Sequence, residues 1–133
     1  MGRAVTGKII APPKANIRAH ERKTAETLAQ AGYVVEFVLA SPVDNTRTPD
    51  ILMNGKRWEI KSRTTSKLRQ IEFNLIKASR QSENIIIDGQ RIKHLPDKKV
   101  QAFLLVKLQE RKSIQRLLYI NKHRKVIDIN TLV

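Results

Sequence analysis

The sequence predicts a mixed α/β (α+β) domain in which a central β-sheet is flanked by helices. Three observations lead there. Stretches of helical spacing alternate with short β-branched runs, in the order helix, strand, hairpin, helix, strand, helix, hairpin. An Asn-Gly pair, Asn54-Gly55, sits between two apolar runs as the strongest short-range hairpin signal. A chain of 133 residues, 41% of them hydrophobic, supplies one compact core rather than two.

Residues 1–16, with Ala11-Pro12-Pro13 and scattered basic side chains, suit an extended N-terminal arm or linker, and residues 17–133 the domain proper. From Ile17 to Ala31 the chain is rich in Ala, Glu, Arg and Lys. Glu21, Ala25, Leu28 and Gly32 share one helical stripe, and Gly32 ends the helix. Tyr33 to Leu39 reads as a buried strand, followed by Ser41-Pro42 and a polar loop from Asp44 to Thr48. Pro49 to Lys61 is the hairpin. Leu68 to Gln81 restores helical spacing, with Ile71, Leu75 and Ala78 inward and Arg69, Lys77 and Arg80 outward. Asn84 to Asp88 is an apolar strand stopped at Gly89, and Pro96-Asp97 opens a third helix. Ile114 to Ile120 and Val126 to Ile129 read as strands joined by the basic turn Asn121 to Lys125, as an extension of the sheet or as a separate edge.

Lys and Arg number 26 against 12 Asp and Glu, a formal net charge of +14 and a sequence pI near 10.6. Such a surface attracts a polyanion. Nucleic acid is the first expectation, because Lys and Arg contacts to phosphates release condensed counterions; an anionic membrane surface and a merely solvating basic face are the alternatives. Aromatics are only 5%, so a sheet of stacked bases is hard to supply. The absence of cysteine excludes disulfides, thiolate zinc sites and thiol nucleophiles. His20, His94 and His123 fit no zinc spacing and read as surface or phosphate-facing groups. No apolar run is long enough to span a bilayer, so no membrane insertion is expected, and the first eight residues lack the apolar stretch of a secretory signal.

Side chains alternate along a strand, so in Trp58-Glu59-Ile60-Lys61 the acid and the lysine share one face and the apolar pair the other. Folding at Asn54-Gly55 brings Asp50, at the start of the first strand, toward the same end. Two carboxylates there make a hard-oxygen site suited to Mg²⁺ or Mn²⁺ more than to zinc. A lysine alongside can position water or stabilise charge growing on phosphate oxygens, which is the chemistry of phosphodiester hydrolysis. The plain alternative is an exposed Glu-Lys pairing worth under about 1 kcal/mol. The loop Ser62-Arg63-Thr64-Thr65-Ser66-Lys67 is polar, flexible and basic, and could hold a phosphate. Asn74 and Gln81 lie two helical turns apart and could face the same cleft, Gln81 being the better candidate. The basic run from Lys107 to Arg116, with Lys122, Arg124 and Lys125, suits sequence-independent contact with a folded RNA backbone.

Pro49-Asp50 followed by Glu59-Ile60-Lys61 after a hairpin resembles the motif of the PD-(D/E)XK nuclease superfamily. With His20-Glu21 leading a helix that carries Ala25, Leu28, Ala29 and Gly32, Trp58 before the acid, and Gln81 to Asp88 after the second helix, the chain from His20 to Ile129 is similar to the C-terminal tRNA nuclease domains of contact-dependent growth inhibition (CdiA-type) toxins. The resemblance implies a restriction-endonuclease-like core and a metal-dependent endonuclease that cleaves tRNA in the cytoplasm of a competing bacterium. It implies delivery within a larger secreted parent chain and neutralisation by a cognate immunity protein. It assigns Asp50 and Glu59 to metal binding, with Mg²⁺ expected and Mn²⁺ or Zn²⁺ in its place, Lys61 to catalysis, and a further acid to the first helix, Glu21 before Glu26. Substrate contacts are expected from His20, Arg63, Thr64, Ser66, Lys67 and Gln81. A DNA endonuclease sharing the motif and a non-catalytic nucleic-acid-binding domain are the competing readings. The oligomeric state is left open.

Overall fold

The computed structural model describes residues 7–13, 16–38 and 50–133; at Asp50 the backbone alone is described. In chain order these form β1 (Lys8–Ile10), α1 (Ala19–Gln30), β2 (Val34–Val38), β3 (Asp50–Met53), β4 (Lys56–Lys61), α2 (Leu68–Ser79), β5 (Asn84–Asp88), α3 (Asp97–Glu110), β6 (Arg116–Ile120) and β7 (Val126–Asp128). Short 3-10 turns follow at Gly89–Arg91 and Ile129–Leu132. The hydrogen-bonded order of the strands is their order in the sequence, with parallel and antiparallel pairs mixed, so the expected α+β class holds. Pro49, the residues around Ser41-Pro42 and the polar loop from Asp44 to Thr48 lie outside the described residues, as do residues 1–6 of the N-terminal arm. The chain divides into two compact units, Met1–Trp58 and Glu59–Val133, and the division falls inside β4.

In the first unit α1 packs against β1 and β2. Ala25 and Leu28 are fully buried as their spacing requires, and Thr24 and Thr27 are buried beside them. Each threonine satisfies its hydroxyl by donating to the carbonyl four residues back, His20 and Lys23, so a polar residue can sit on the packed face. The helix ends where Gly32 adopts φ 103°, with the Gly32 N–H donating to Ala29 O and the Tyr33 N–H to Leu28 O, the paired bonds of a Schellman motif. Lys8–Ile10, within the extended arm, pairs parallel to β2. The strand expected to be buried throughout instead alternates: Val35 and Phe37 are buried while Val34 and Glu36 are exposed, because helix α1 packs on β2 and the strand has alternating faces. β3 and β4 pair antiparallel through Ile51↔Trp58, Leu52↔Arg57 and Met53↔Lys56. The turn between them has Asn54 at φ 55° and Gly55 at φ 76°, two consecutive left-handed residues as a tight two-residue hairpin demands. Trp58 is buried, and its indole N–H donates to Met53 O at 3.1 Å.

In the second unit the other half of β4 changes partner. Glu59, Ile60 and Lys61 pair parallel with Ile85, Ile86 and Ile87, and β5 pairs parallel with β6 on its other edge. Flanked on both sides, β5 is buried at every position, which accounts for its unbroken apolar run. Ile71, Leu75 and Ala78 of α2 enter one core with Ile85, Ile87, Val100, Leu104, Leu117 and Tyr119. Lys107 of α3 bridges Glu72 of α2 at 3.0 Å and Glu110 at 3.2 Å, and hydrogen bonds to these two carboxylates hold its ammonium above the usual lysine range. Helix α3 begins at Asp97, as Pro96-Asp97 foretold. β6 begins two residues later than its apolar run, and Ile129 leaves β7 to open the final 3-10 turn, which Asn130 fastens by accepting from Leu117 N–H and donating to Gln115 O.

Candidate active site

Within the second unit the alternation of β4 does what the sequence requires of it. Lys61 Nζ lies 3.5 Å from Glu59 Oε2, with the two side chains 14% and 15% exposed. An acid and an amine are thus held together with most of their water removed, which distinguishes them from an ordinary solvated surface pair. Lys61 stands beside Ile87, one residue before the end of β5. There Asp88, 1% exposed, accepts from Gln90 N–H at 2.9 Å and from Arg124 Nη1 at 3.1 Å. Lys61, Arg63, Thr65, Asn74 and Asp88 line a narrow crevice of about 10 Å³. Arg63, Thr65 and Asn74 also form a wall of an open cleft of about 220 Å³, which Thr64, Gln70, Phe73 and Lys77 complete.

The loop after β4 was expected to be flexible, and it is tied down. Arg91 Nη1 donates to Ser62 O at 3.0 Å, Lys93 N–H donates to Thr65 O at 2.7 Å, and Thr65 forms a parallel bridge with Ile92. The Lys67 N–H closes a local turn onto Thr65 Oγ1 at 3.1 Å. Apart from that local turn, the partners come from the segment after β5, some thirty residues on, so nothing local in the loop's composition announces them.

The remaining expected site residues fall as follows. Asp50 opens β3, its backbone opposite Val38, and its side chain lies outside the described residues. Glu21 stands in the first turn of α1 and accepts the Arg18 N–H at 2.9 Å, so its carboxylate has a helix-capping task. His20 precedes it, half-buried, and Glu26 is exposed on the same helix. Ser66 and Lys67 are exposed where the loop runs into α2. Gln81 lies two residues beyond α2, exposed, and is not among the residues lining either cleft; Asn74 is the α2 amide that lines both. A face toward the sheet favours the mid-helix residue, since the helix ends before Gln81 can share its stripe. The expected basic run is largely engaged within the fold. Lys107 holds two glutamates, Arg116 pairs with Asp128, Lys122 Nζ donates to Leu95 O and Arg124 pairs with Asp88. Asp88 received no role from the sequence, although a carboxylate closing a wholly apolar strand just before a glycine was a usable signal.

The oxygen donors and absence of thiolates are of the kind a hard divalent cation prefers, and Glu59 is the carboxylate of the expected pair whose side chain is described, paired with Lys61. Among the described residues no three His, Asp or Glu side chains gather as they would around a metal ion.

Residues 47–126 match the family model of the contact-dependent growth inhibition CdiA C-terminal domain, more than half of the chain and the stretch that carries Asp50, Glu59 and Lys61. The chain belongs to this family. A chain from the CdiA-CT/CdiI toxin and immunity complex of Burkholderia pseudomallei has the same fold, with a TM-score of 0.64 and 19% identity over 92% of this chain and 98% of that one. Among curated proteins none matches. As a CdiA C-terminal domain, the chain shares with this neighbour an architecture at an identity too low to transfer individual residue roles.

Proposed function

We propose that this CdiA C-terminal domain is a growth-inhibiting toxin that acts as a divalent-metal-dependent endonuclease on RNA, with tRNA as its substrate. The observation that carries the reading is the largely buried Glu59–Lys61 pair, whose lysine lines a crevice together with Arg63 and Asn74. Family membership and the net charge of +14 support it. In this reading Asp50 and Glu59, on the two strands of one hairpin, hold Mg²⁺, with Mn²⁺ or Zn²⁺ able to replace it. The cation, when bound, polarises the phosphodiester and acidifies water. Lys61 orients the attacking water and stabilises charge on the phosphate oxygens. Glu59 holds the Lys61 side chain in position. Arg63 and Thr64 contact the phosphate backbone, and Glu21 shapes the first helix through its cap. A cognate immunity protein would neutralise the domain, the neighbour being part of a toxin and immunity complex, and an acidic face on that partner would complement so basic a surface. The domain acts in the cytoplasm of the target cell after delivery by a larger parent protein.

The test is a digest of total tRNA and, in parallel, of plasmid DNA, with Mg²⁺ and with excess EDTA. Cleavage of tRNA that needs the cation and disappears in Lys61→Ala is the expected result. Cleavage of DNA alone reassigns the polymer, and metal-independent cleavage removes the mechanism.

A further inference from the structure

The cleft beside the Lys61 crevice contains a feature the hydrolytic reading leaves unused. Helix α2 sends Ile71, Leu75 and Ala78 into the core, which turns Phe73 outward, 54% exposed. A single exposed apolar residue is ordinary on a protein surface, but this one walls a cleft and is surrounded by polar chemistry. Lys77, one turn along, places Nζ 5.4 Å from the centre of the Phe73 ring. Gln70 and Asn74 present amides on the same helix, and Arg63 closes the cleft from the loop after β4. Arg63, Thr65 and Asn74 belong to this cleft and to the crevice of Lys61 alike, so the two hollows share a wall.

We infer that this cleft is a nucleotide subsite in which Phe73 stacks one unpaired base of the RNA next to the phosphodiester at Lys61. The inference rests on the nuclease reading and adds to it the conformation of the substrate. Each part of a nucleotide finds its chemistry here: an aromatic face for the base, amides at Gln70 and Asn74 for its edge, and cations at Arg63 and Lys77 for its phosphates. A volume of about 220 Å³ is smaller than the roughly 300 Å³ at which pockets for drug-sized ligands begin, and so fits one base rather than a stretch of helix. In double-helical RNA the base faces are already stacked, so the substrate that fits is a loop or a single-stranded end. One aromatic residue is enough for one base, which reconciles the subsite with a chain poor in aromatics.

The test is the affinity of fluorescent RNA by anisotropy in EDTA, where turnover is not required. An RNA hairpin with an unpaired loop and a blunt duplex of equal length are the probes. Phe73→Ala weakens binding of the hairpin by about 5- to 150-fold, the range of one base–aromatic stack, and leaves the duplex unchanged. Phe73→Trp restores it, and Val106→Ala, at an exposed apolar position of α3, has no effect. An abasic residue at the responsible loop position reproduces the loss and adds nothing to Phe73→Ala. An unaltered hairpin affinity in Phe73→Ala, or an equal loss on hairpin and duplex, overturns the subsite. A wild-type chain that binds through Phe73 yet cleaves no RNA with any divalent cation defeats the nuclease reading and leaves the stacking site standing; one that cleaves and ignores Phe73 does the reverse.

Discussion

Two hairpins whose turns lie among the described residues, β3–β4 and β6–β7, are built in opposite ways. The β3–β4 turn is purely local: two residues, Asn54 and Gly55, both with positive φ and both exposed, with nothing within 4 Å of where a Gly55 side chain would begin. The β6–β7 turn, Asn121 to Lys125, is pinned from a distance. Asn121 Oδ1 accepts from His123 and Lys125 N–H groups and backbone bonds join Asn121 to Arg124 and Lys125, but the turn is also held by residues 25 to 36 positions away. Lys122 N–H reaches Asp97, Lys122 Nζ reaches Leu95 O, and Arg124 reaches Asp88. The first hairpin spends little of its own polar chemistry on staying folded and carries the proposed reaction; the second spends its basic side chains on the fold. A charged turn is therefore a poor guide to where a polyanion binds, because its charges can be committed internally.

The comparison is broken most severely at Lys61. Lys61→Ala is expected to lower cleavage by at least about a hundredfold, the loss typical of removing one preorganised electrostatic contact, with the circular-dichroism spectrum close to wild type. Glu59→Gln should behave alike. On the other hairpin the expected damage is to stability. Asp88→Ala removes the partner of Arg124, which is 25% exposed, and the acceptor of Gln90 N–H. A fully buried pair would cost about 3 to 5 kcal/mol; with Arg124 partly in water the expected loss is about 2 kcal/mol by urea denaturation.

Tyr119→Phe sharpens the contrast. Its hydroxyl donates to Asp97 Oδ1 at 2.6 Å, and the same carboxylate accepts Lys122 N–H. Losing a bond to a charged acceptor is expected to cost about 1.5 kcal/mol. Burial, and then the bond and charge of Asp97, push the Tyr119 phenol well above its ordinary value. The folded state therefore holds this proton more tightly than the unfolded chain does. The stabilisation is complete below the unfolded tyrosine value of about 10 and is lost as pH rises above it. Urea midpoints measured across that range should fall with pH in the wild type and less steeply in Tyr119→Phe. The smallest effect belongs to the local turn. Gly55→Ala meets no neighbouring atom and suffers only the cost of a left-handed residue, about 1 kcal/mol, and a drop of more than about 3 kcal/mol in urea would show that the first hairpin is also pinned from afar.

What the sequence made legible follows the same division. The Asn54-Gly55 turn, the apolar stripe of α2 and the shared face of Glu59 and Lys61 depend on spacings of two to seven residues and could be read directly. The parallel neighbours of Glu59 and Lys61, the anchoring of the Ser62–Lys67 loop by Arg91 and Lys93, and the burial of Asp88 depend on contacts between segments about 25 or more residues apart. Pattern alone carries no record of those. Asn74 and Gln81 share one stripe only in an unbroken helix; the helix stops at Ser79, and of the two only Asn74 lines the cleft.

The bare two-residue turn at Asn54-Gly55 also offers a way of handling a toxin domain. A chain interrupted there would carry Asp50 on one piece and Glu59, Lys61 and Phe73 on the other, with the Ile51–Trp58 ladder as the seam along which the pieces could rejoin. Each half could be produced apart from the other, and mixing the two would serve as the trigger for the proposed activity.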